Sequence, residues 1–309
     1  MKALVTTGPN GPGLTLSDVD RPQPVSGEAL VTLTATSLNR GEVRHLADEE
    51  PGTVLGWDVV GTVEQPASDG SGPPAGTRVV GLVGGAGWAQ YIAVPTHALA
   101  VIPDAVSDAD AAVLPIAGLT AWRALEMGGL LLGSRVLVTG AAGGVGRLAV
   151  QLANRAGADV TAVVGRPERR SGLVQLGASE VVVGIENASG RYDLILESVG
   201  GASMRRASEV LAPEGTLVTY GRSSGDDGAI DPYWFGDHSG ARIEGLLVFT
   251  EVDRHRLGTA QLEKMLALIA VGRLDPQVTR TGSWSDPMPL VQALLDRQVD
   301  GKAVLTVDP

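Results

Sequence analysis

Short apolar runs broken by Gly and Pro fill the first 105 residues. Positions 28–35 alternate Thr, Val and Leu, and 59–64, 78–82 and 89–94 repeat the pattern between turn residues. Period-two runs bounded by Gly and Pro predict short strands. The stretch 66–76 (PASDGSGPPAG) is a loop by composition. Together they predict a compact β-rich domain. Near Ser107 the pattern changes. Ser107-Asp108-Ala109-Asp110 has an N-cap residue followed by acids, which suit a helix start. From there to about residue 248, strand-type and helix-type segments alternate. The expected strands are 135–139, 159–164, 180–183, 192–196 and 215–220, and the expected helices 146–156, 168–176 and 201–211. Such alternation predicts parallel βαβ units with both faces covered. A helix over 258–271 and a last strand over 303–307 complete the reading. The fold class expected is α/β, a β-rich domain plus a doubly wound parallel sheet.

Composition narrows the chemistry. Among 309 residues there is no cysteine, which excludes disulfides, Cys-ligated metals and thiol catalysis. Lys and Arg number 24 against 35 Asp and Glu, a net charge of −11. That balance argues against nucleic acid and anionic membrane surfaces as partners. The length is ample for two domains. The N-terminal residues carry one positive charge and no sustained apolar core, unlike a signal peptide. No run of about 18 apolar residues occurs, so a cytoplasmic location is expected.

One motif carries specific chemistry. The strand 135–139 runs into Gly140-Ala141-Ala142-Gly143-Gly144-Val145-Gly146 and then a helix. Small residues at 141, 143 and 146 permit a tight turn, close approach of backbone to a pyrophosphate, and tight helix–strand packing. The helix start offers free N–H groups to phosphate. A dinucleotide is therefore the expected ligand. The acid that usually ends the second strand is missing. Gly165 stands there instead, followed by Arg166, Glu168, Arg169 and Arg170. Guanidinium groups pair with a 2′-phosphate, so NADPH is expected over NADH through Arg166 and Arg169. Arg170 reads equally well as a solvated residue.

With these residues noted, the chain resembles the medium-chain dehydrogenase/reductase superfamily, and within it the zinc-free quinone oxidoreductases related to zeta-crystallin. The marks are Gly56-Trp57-Asp58-Val59-Val60-Gly61, Gly118-Leu119-Thr120-Ala121, the turn above, Glu197-Ser198-Val199-Gly200-Gly201 and Gly301-Lys302-Ala303-Val304-Leu305. The resemblance implies a GroES-like domain over 1–110 completed by 258–309, and a Rossmann NADPH-binding domain over 111–257. It also implies a homodimer. Zinc-dependent relatives place metal ligands where Asn39, Trp57 and Ile116 stand here. Those three cannot assemble a catalytic zinc site, so no metal is expected. Without a Lewis acid, hydride transfer suits a quinone or an α,β-unsaturated carbonyl. An enoyl reductase or redox-silent cyclase on the same fold, and an NADPH sensor without turnover, stay open.

The resemblance also implies site residues. Asn39 would donate to a substrate carbonyl or touch the cofactor. Thr120, Ala142, Gly143, Gly144, Val145, Gly165, Ser198, Val199, Gly200, Tyr220, Gly221, Val248, Phe249 and Lys302 would contact the cofactor, Lys302 through a phosphate. Relatives often carry Tyr where Arg44 stands, so Arg44 is a candidate for an anionic or polarised acceptor. Read from composition instead, Tyr233 and Trp234, in a chain poor in aromatics, are candidates for the substrate pocket or a dimer edge, with plain packing as the alternative.

Overall fold

A computed structural model describes residues 1–309 except 10, 12, 45, 232, 308 and 309. The chain divides into two compact units, Met1–Leu119 with Phe249–Pro309, and Thr120–Val248.

In chain order the elements begin with β1 (Lys2–Thr6), β2 (Leu14–Asp18), β3 (Glu28–Leu38), α1 (Arg40–Val43), β4 (Asp58–Gln65), β5 (Arg78–Leu82), β6 (Tyr91–Pro95), β7 (Leu99–Val101) and α2 (Asp108–Ala111). Next come α3 (Leu119–Met127), β8 (Arg135–Val138), α4 (Gly144–Arg155), β9 (Asp159–Val164), β10 (Glu180–Val183), β11 (Tyr192–Glu197), α5 (Gly201–Glu209), β12 (Leu211–Thr219) and β13 (Arg242–Gly245). The chain then supplies α6 (Val248–His255), α7 (Gly258–Ala270), β14 (Val278–Ser283), α8 (Met288–Leu295) and β15 (Lys302–Thr306).

The first unit is built on a sheet of order β14-β15-β3-β4-β5-β7, with β6 pairing β3. Its C-terminal strand β15 lies antiparallel to β3, with Val304 opposite Ser37. Val31, Val59, Val79, Trp88 and Val94 are buried in its core. Gly61 lies where any Cβ would meet the Thr32 carbonyl at 2.0 Å, so β4 can pass β3 this closely only with glycine there.

The second unit is a parallel sheet of order β10-β9-β8-β11-β12-β13. The chain starts in the middle, moves outward to β10, then returns to the other side of β8 to lay down β11. This reversal creates a topological switch point between β8 and β11, where open α/β sheets bind ligands. Val136, Leu137 and Val138 of β8 and Leu194, Ile195 and Leu196 of β11 are all buried, as central strands covered on both faces require.

Three sequence expectations differ from the structure. The helix expected over 168–176 is a single 3₁₀ turn at Pro167–Arg170 followed by turns. Gly172 takes a φ of +80°, a left-handed conformation that an α-helix cannot pass through. The helix α5 stops at Glu209, and β12 starts at Leu211 rather than 215. The division between units falls at 119/120 and 248/249 rather than 110/111 and 257/258. Residues beyond 107 are tied into the first unit: Asp108 pairs with Arg78 and accepts from Thr34, and the Ile116 N–H bonds Asp58. Phe249 likewise packs edge-on to Trp57 at 5.3 Å.

Candidate active site

At the switch point of the second unit, the chain leaves β8 through a tight turn. Gly140 takes a φ of +59°, Ala141 N–H bonds the Val163 carbonyl and Gly143 N–H returns to the Gly140 carbonyl. Gly143 caps α4 in extended conformation with no side chain to bond the helix start. The first-turn N–H groups of Gly144, Val145 and Gly146 thus have no carbonyl within the helix to meet. A Cβ on Gly146 would stand 2.6 Å from Ala141 Cα and from the Gly140 carbonyl oxygen. Only glycine lets the helix start press against the turn. These are the features a pyrophosphate needs, and the residues present fit a dinucleotide.

Basic groups surround this turn. Arg169 donates through Nη2 to the Ala142 carbonyl at 3.3 Å. Arg147, which sequence reading missed, is buried and donates through Nε to the same carbonyl at 3.4 Å and through Nη2 to Ser171 O at 2.8 Å. Its signal was its place directly after the glycine motif. Gly165 and Arg166 are exposed just beyond β9. Arg170 turns away and donates to Val181 O at 3.0 Å.

The neighbouring strand β11 ends in a buried carboxylate that the sequence reading did not single out. Glu197 accepts the N–H groups of Val199 and Gly200, both at 3.0 Å, and the Ser203 hydroxyl at 2.9 Å. It thereby shapes the Ser198–Val199–Gly200 loop from beneath. Ser198 N–H bonds Thr139 Oγ1 at 2.9 Å, which joins this loop to the end of β8. Ser223 and Ser224 donate to the carbonyls of Ser198 and Val199. Tyr220 and Gly221 follow β12 on the same side, and a Cβ on Gly221 would lie 3.0 Å from Ser198 O. Burial pushes the Tyr220 phenol above its usual range, as does the Glu197 charge. Thr120, near the start of α3, and Val248 are buried within their own surroundings.

Trp234, read from the sequence with Tyr233 as a substrate-pocket candidate, packs within the second unit. The Trp234 indole donates to Ser208 O at 2.6 Å and stacks on His238 at 4.8 Å. His238 contacts the Leu211 carbonyl, and Arg191 donates to that same carbonyl at 2.9 Å. Ser208 lies in the last turn of α5, Arg191 precedes β11 and Leu211 starts β12. All lie where strands begin, at the end of the sheet opposite the Gly140–Gly146 turn. Trp234 closes the bottom of the sheet. Tyr233 is 81% exposed.

In the first unit, the residues at the three metal-ligand positions fall around Asp58. The Asp58 carboxylate is fully buried and receives three donors: Asn39 Nδ2 at 2.8 Å, the Ile116 N–H at 2.8 Å and the Ser37 hydroxyl. Lys302 lies 3.6 Å from it and donates to Asn39 Oδ1 at 2.7 Å and to Leu38 O at 3.2 Å. The expectation that the Lys302 ammonium meets a phosphate is therefore corrected: it is buried and committed inside this unit. Burial lowers its pKa, opposed by Asp58 and Glu42. Trp57 lies against Gly41, whose Cβ would stand 2.9 Å from the indole, and edge-on to Phe249. Glu42 accepts the Asn39 N–H at 2.7 Å through one oxygen, while the other is buried with no hydrogen-bond partner among the described residues. Burial first, then the nearby Asp58 charge, push its carboxyl up to about 8. Arg44 is exposed at the end of α1. Among the described residues no three His, Asp or Glu side chains converge as metal ligands.

Comparison with known proteins adds to this geometry. Residues 25–104 match the alcohol dehydrogenase GroES-like domain, and 144–270 match the zinc-binding dehydrogenase family. A chloroplast envelope quinone oxidoreductase homologue of Arabidopsis thaliana is 35% identical over 237 residues, covering 68% of this chain and 71% of that protein. The chain belongs to the quinone oxidoreductase group of medium-chain dehydrogenases/reductases. Within this superfamily, the mycobacterial protein Rv1454c, solved in complex with NADPH, superposes over 99% of this chain and 100% of its own with a TM-score of 0.87 at 25% identity. Erythronolide synthase EryA2 of Saccharopolyspora erythraea is 36% identical over 94% of this chain, yet the chain spans only 8% of that synthase. No helix among the described residues is long and apolar enough to cross a membrane.

Proposed function

We propose that this oxidoreductase uses NADPH to reduce a quinone or an α,β-unsaturated carbonyl. The observation that carries the reading is the uncapped α4 start beside the guanidinium of Arg169, at the switch point of the parallel sheet. The N–H groups of residues 144–146 would hold the pyrophosphate, and Arg166 and Arg169 the 2′-phosphate. Ala142, Gly143, Gly165, the Ser198–Gly200 loop, Tyr220, Gly221, Thr120, Val248 and Phe249 would complete the dinucleotide contacts. When bound, NADPH supplies a hydride. The chain's own task is to hold the acceptor's carbonyl and stabilise the oxyanion that forms, for which Asn39 offers an N–H donor. Arg44 is a second candidate at the acceptor.

The reaction is proposed to proceed without zinc. A carboxamide, an indole and an isoleucine stand at the relatives' ligand positions, and Asp58 is saturated by three donors. A homodimer and a cytoplasmic setting belong to the same reading. The strand β13 supports the former, since it ends the sheet with one edge unpaired among the described residues.

A second reading, an enoyl reductase of carbon-chain assembly, is favoured by the identity to a segment of the erythronolide synthase. The test follows NADPH absorbance with quinones, simple enones and enoyl thioesters. Decay with quinones or enones supports the first reading. Decay with enoyl thioesters alone selects the second. Tight NADPH binding without decay on any acceptor refutes both.

A further inference from the structure

Two turns of the second unit meet through guanidinium groups. One is the glycine turn 140–146. The other is the stretch 166–171 after β9, built on the 3₁₀ turn Pro167–Arg170, none of whose four residues is buried. Such a turn bonds poorly within itself and depends on outside contacts for its shape. Arg147 supplies one. Its Nη2 donates to the Ser171 carbonyl at 2.8 Å, just past the 3₁₀ turn, and its Nε to the Ala142 carbonyl at 3.4 Å, inside the glycine turn. One planar fork thus spans both turns. Arg169 makes the return link, from the 3₁₀ turn to the same Ala142 carbonyl at 3.3 Å. A Cβ on Gly172 would stand 3.1 Å from Arg147 Nη1, so glycine there lets the chain close onto the fork. Arg147 is only 5% exposed, and burying a guanidinium is costly. An apolar side chain of similar length would fill the space without that cost. What arginine adds is the two-ended link. Its backbone N–H bonds the Gly143 carbonyl in the first turn of α4, so its reach is fixed by the helix start itself.

We propose that Arg147 is a positioning residue that holds the 166–171 stretch in register with the glycine turn, so that Arg166 and Arg169 meet the 2′-phosphate of a nucleotide whose pyrophosphate lies at the α4 start. It sets the preference for NADPH over NADH through the turn it braces, not by touching the phosphate. This inference rests on the assignment of Arg166 and Arg169 to the 2′-phosphate. A purely structural Arg147 would set stability and leave that preference alone.

The experiment uses the full chain and two probes, adenosine 2′,5′-bisphosphate and adenosine 5′-monophosphate, which differ only in the 2′-phosphate. Calorimetry gives both affinities, and their ratio is the discrimination. Arg147→Met should lose about tenfold in this ratio, as expected for lost charge-assisted bonds, while affinity for the monophosphate stays within about threefold. Equal losses on both probes would overturn the proposal. Arg147→Lys keeps the buried charge without the fork, so its ratio should also fall. A wild-type ratio in the lysine variant assigns the effect to charge and overturns the proposal. Should Arg147→Met fail to fold, the lysine variant carries the same test. Added to Arg166→Ala/Arg169→Ala, the Arg147 substitution should change the ratio little, because it acts through those residues, and losses that multiply would overturn it. A readout without nucleotide is trypsin cleavage after Arg169 and Arg170. It should be several-fold faster in Arg147→Lys than in wild type, and equal rates overturn the bracing. A wild type that binds both probes equally instead refutes the 2′-phosphate assignment itself, and this inference with it.

Discussion

Glu42 offers a direct test of the buried polar cluster through Glu42→Gln. Its carboxyl is held at about 8 against 4.5 for the free group, because burial and the Asp58 charge disfavour ionisation. Between those values the unfolded chain releases a proton that the folded chain keeps. The folded state binds more protons, so stability falls as pH rises through this window. Holding the proton costs about 1 kcal/mol at pH 5 and about 4 kcal/mol at pH 7.5, at 1.36 kcal/mol per unit. Glutamine stays neutral and its carbonyl can still accept the Asn39 N–H that Glu42 accepts at 2.7 Å. Its NH₂ replaces an oxygen that has no hydrogen-bond partner among the described residues. The variant should therefore gain roughly 3 kcal/mol relative to wild type between pH 5 and pH 7.5. Urea unfolding of both proteins at the two pH values measures this directly. Parallel pH dependence in wild type and variant would refute an uncharged buried Glu42.

Other predictions address the nucleotide end. Arg166→Ala and Arg169→Ala together should raise the KM for NADPH by about tenfold or more, with little change for NADH, as expected for lost charge-assisted bonds. Equal changes would remove the 2′-phosphate assignment. Gly146→Ala, whose Cβ meets backbone at 2.6 Å, should destabilise by about 1–3 kcal/mol and weaken NADPH binding in fluorescence titration. Trp234→Ala should lower the melting temperature while the KM for a quinone stays unchanged. A raised KM would return Trp234 to the acceptor site.

Much of the fold was legible because its signals are local. Period-two runs marked β3 to β6, and unbroken apolar runs marked β8 and β11, whose side chains are covered on both faces. The glycine turn was legible because its steric demands are written in consecutive residues. The short 3₁₀ turn after β9 was misread because helical composition over 168–176 outweighed a single left-handed Gly172. The site was less legible where contacts join distant positions. Nothing near Lys302 in sequence shows that its amine reaches Asn39, 263 positions away. Trp234 looked like a pocket residue because aromatics are scarce. Its placement depends on which end of the parallel sheet α5 and β12 present, and that is set by topology. Arg147 and Glu197 were hidden for the opposite reason: one directly follows and the other opens a quoted motif, where attention fell on the glycines.

The pairing of β15 with β3 has a consequence for synthesis on the ribosome. The second unit is one continuous stretch, Thr120–Val248, and every strand of its sheet is present once β13 has emerged. The first unit begins earlier but cannot close, because the Ala35–Leu38 end of β3 waits for a strand made about 260 residues later, beside the stretch that β6 already pairs. The later-made unit is thus the earlier to finish, and β3 carries an open edge in the meantime. Nascent chains arrested beyond residue 290 should show protease protection confined to 120–248, with the N-terminal strands resistant only after residue 306 clears the exit tunnel. Protection of residues 1–119 before then would show that β3 is shielded without its C-terminal partner.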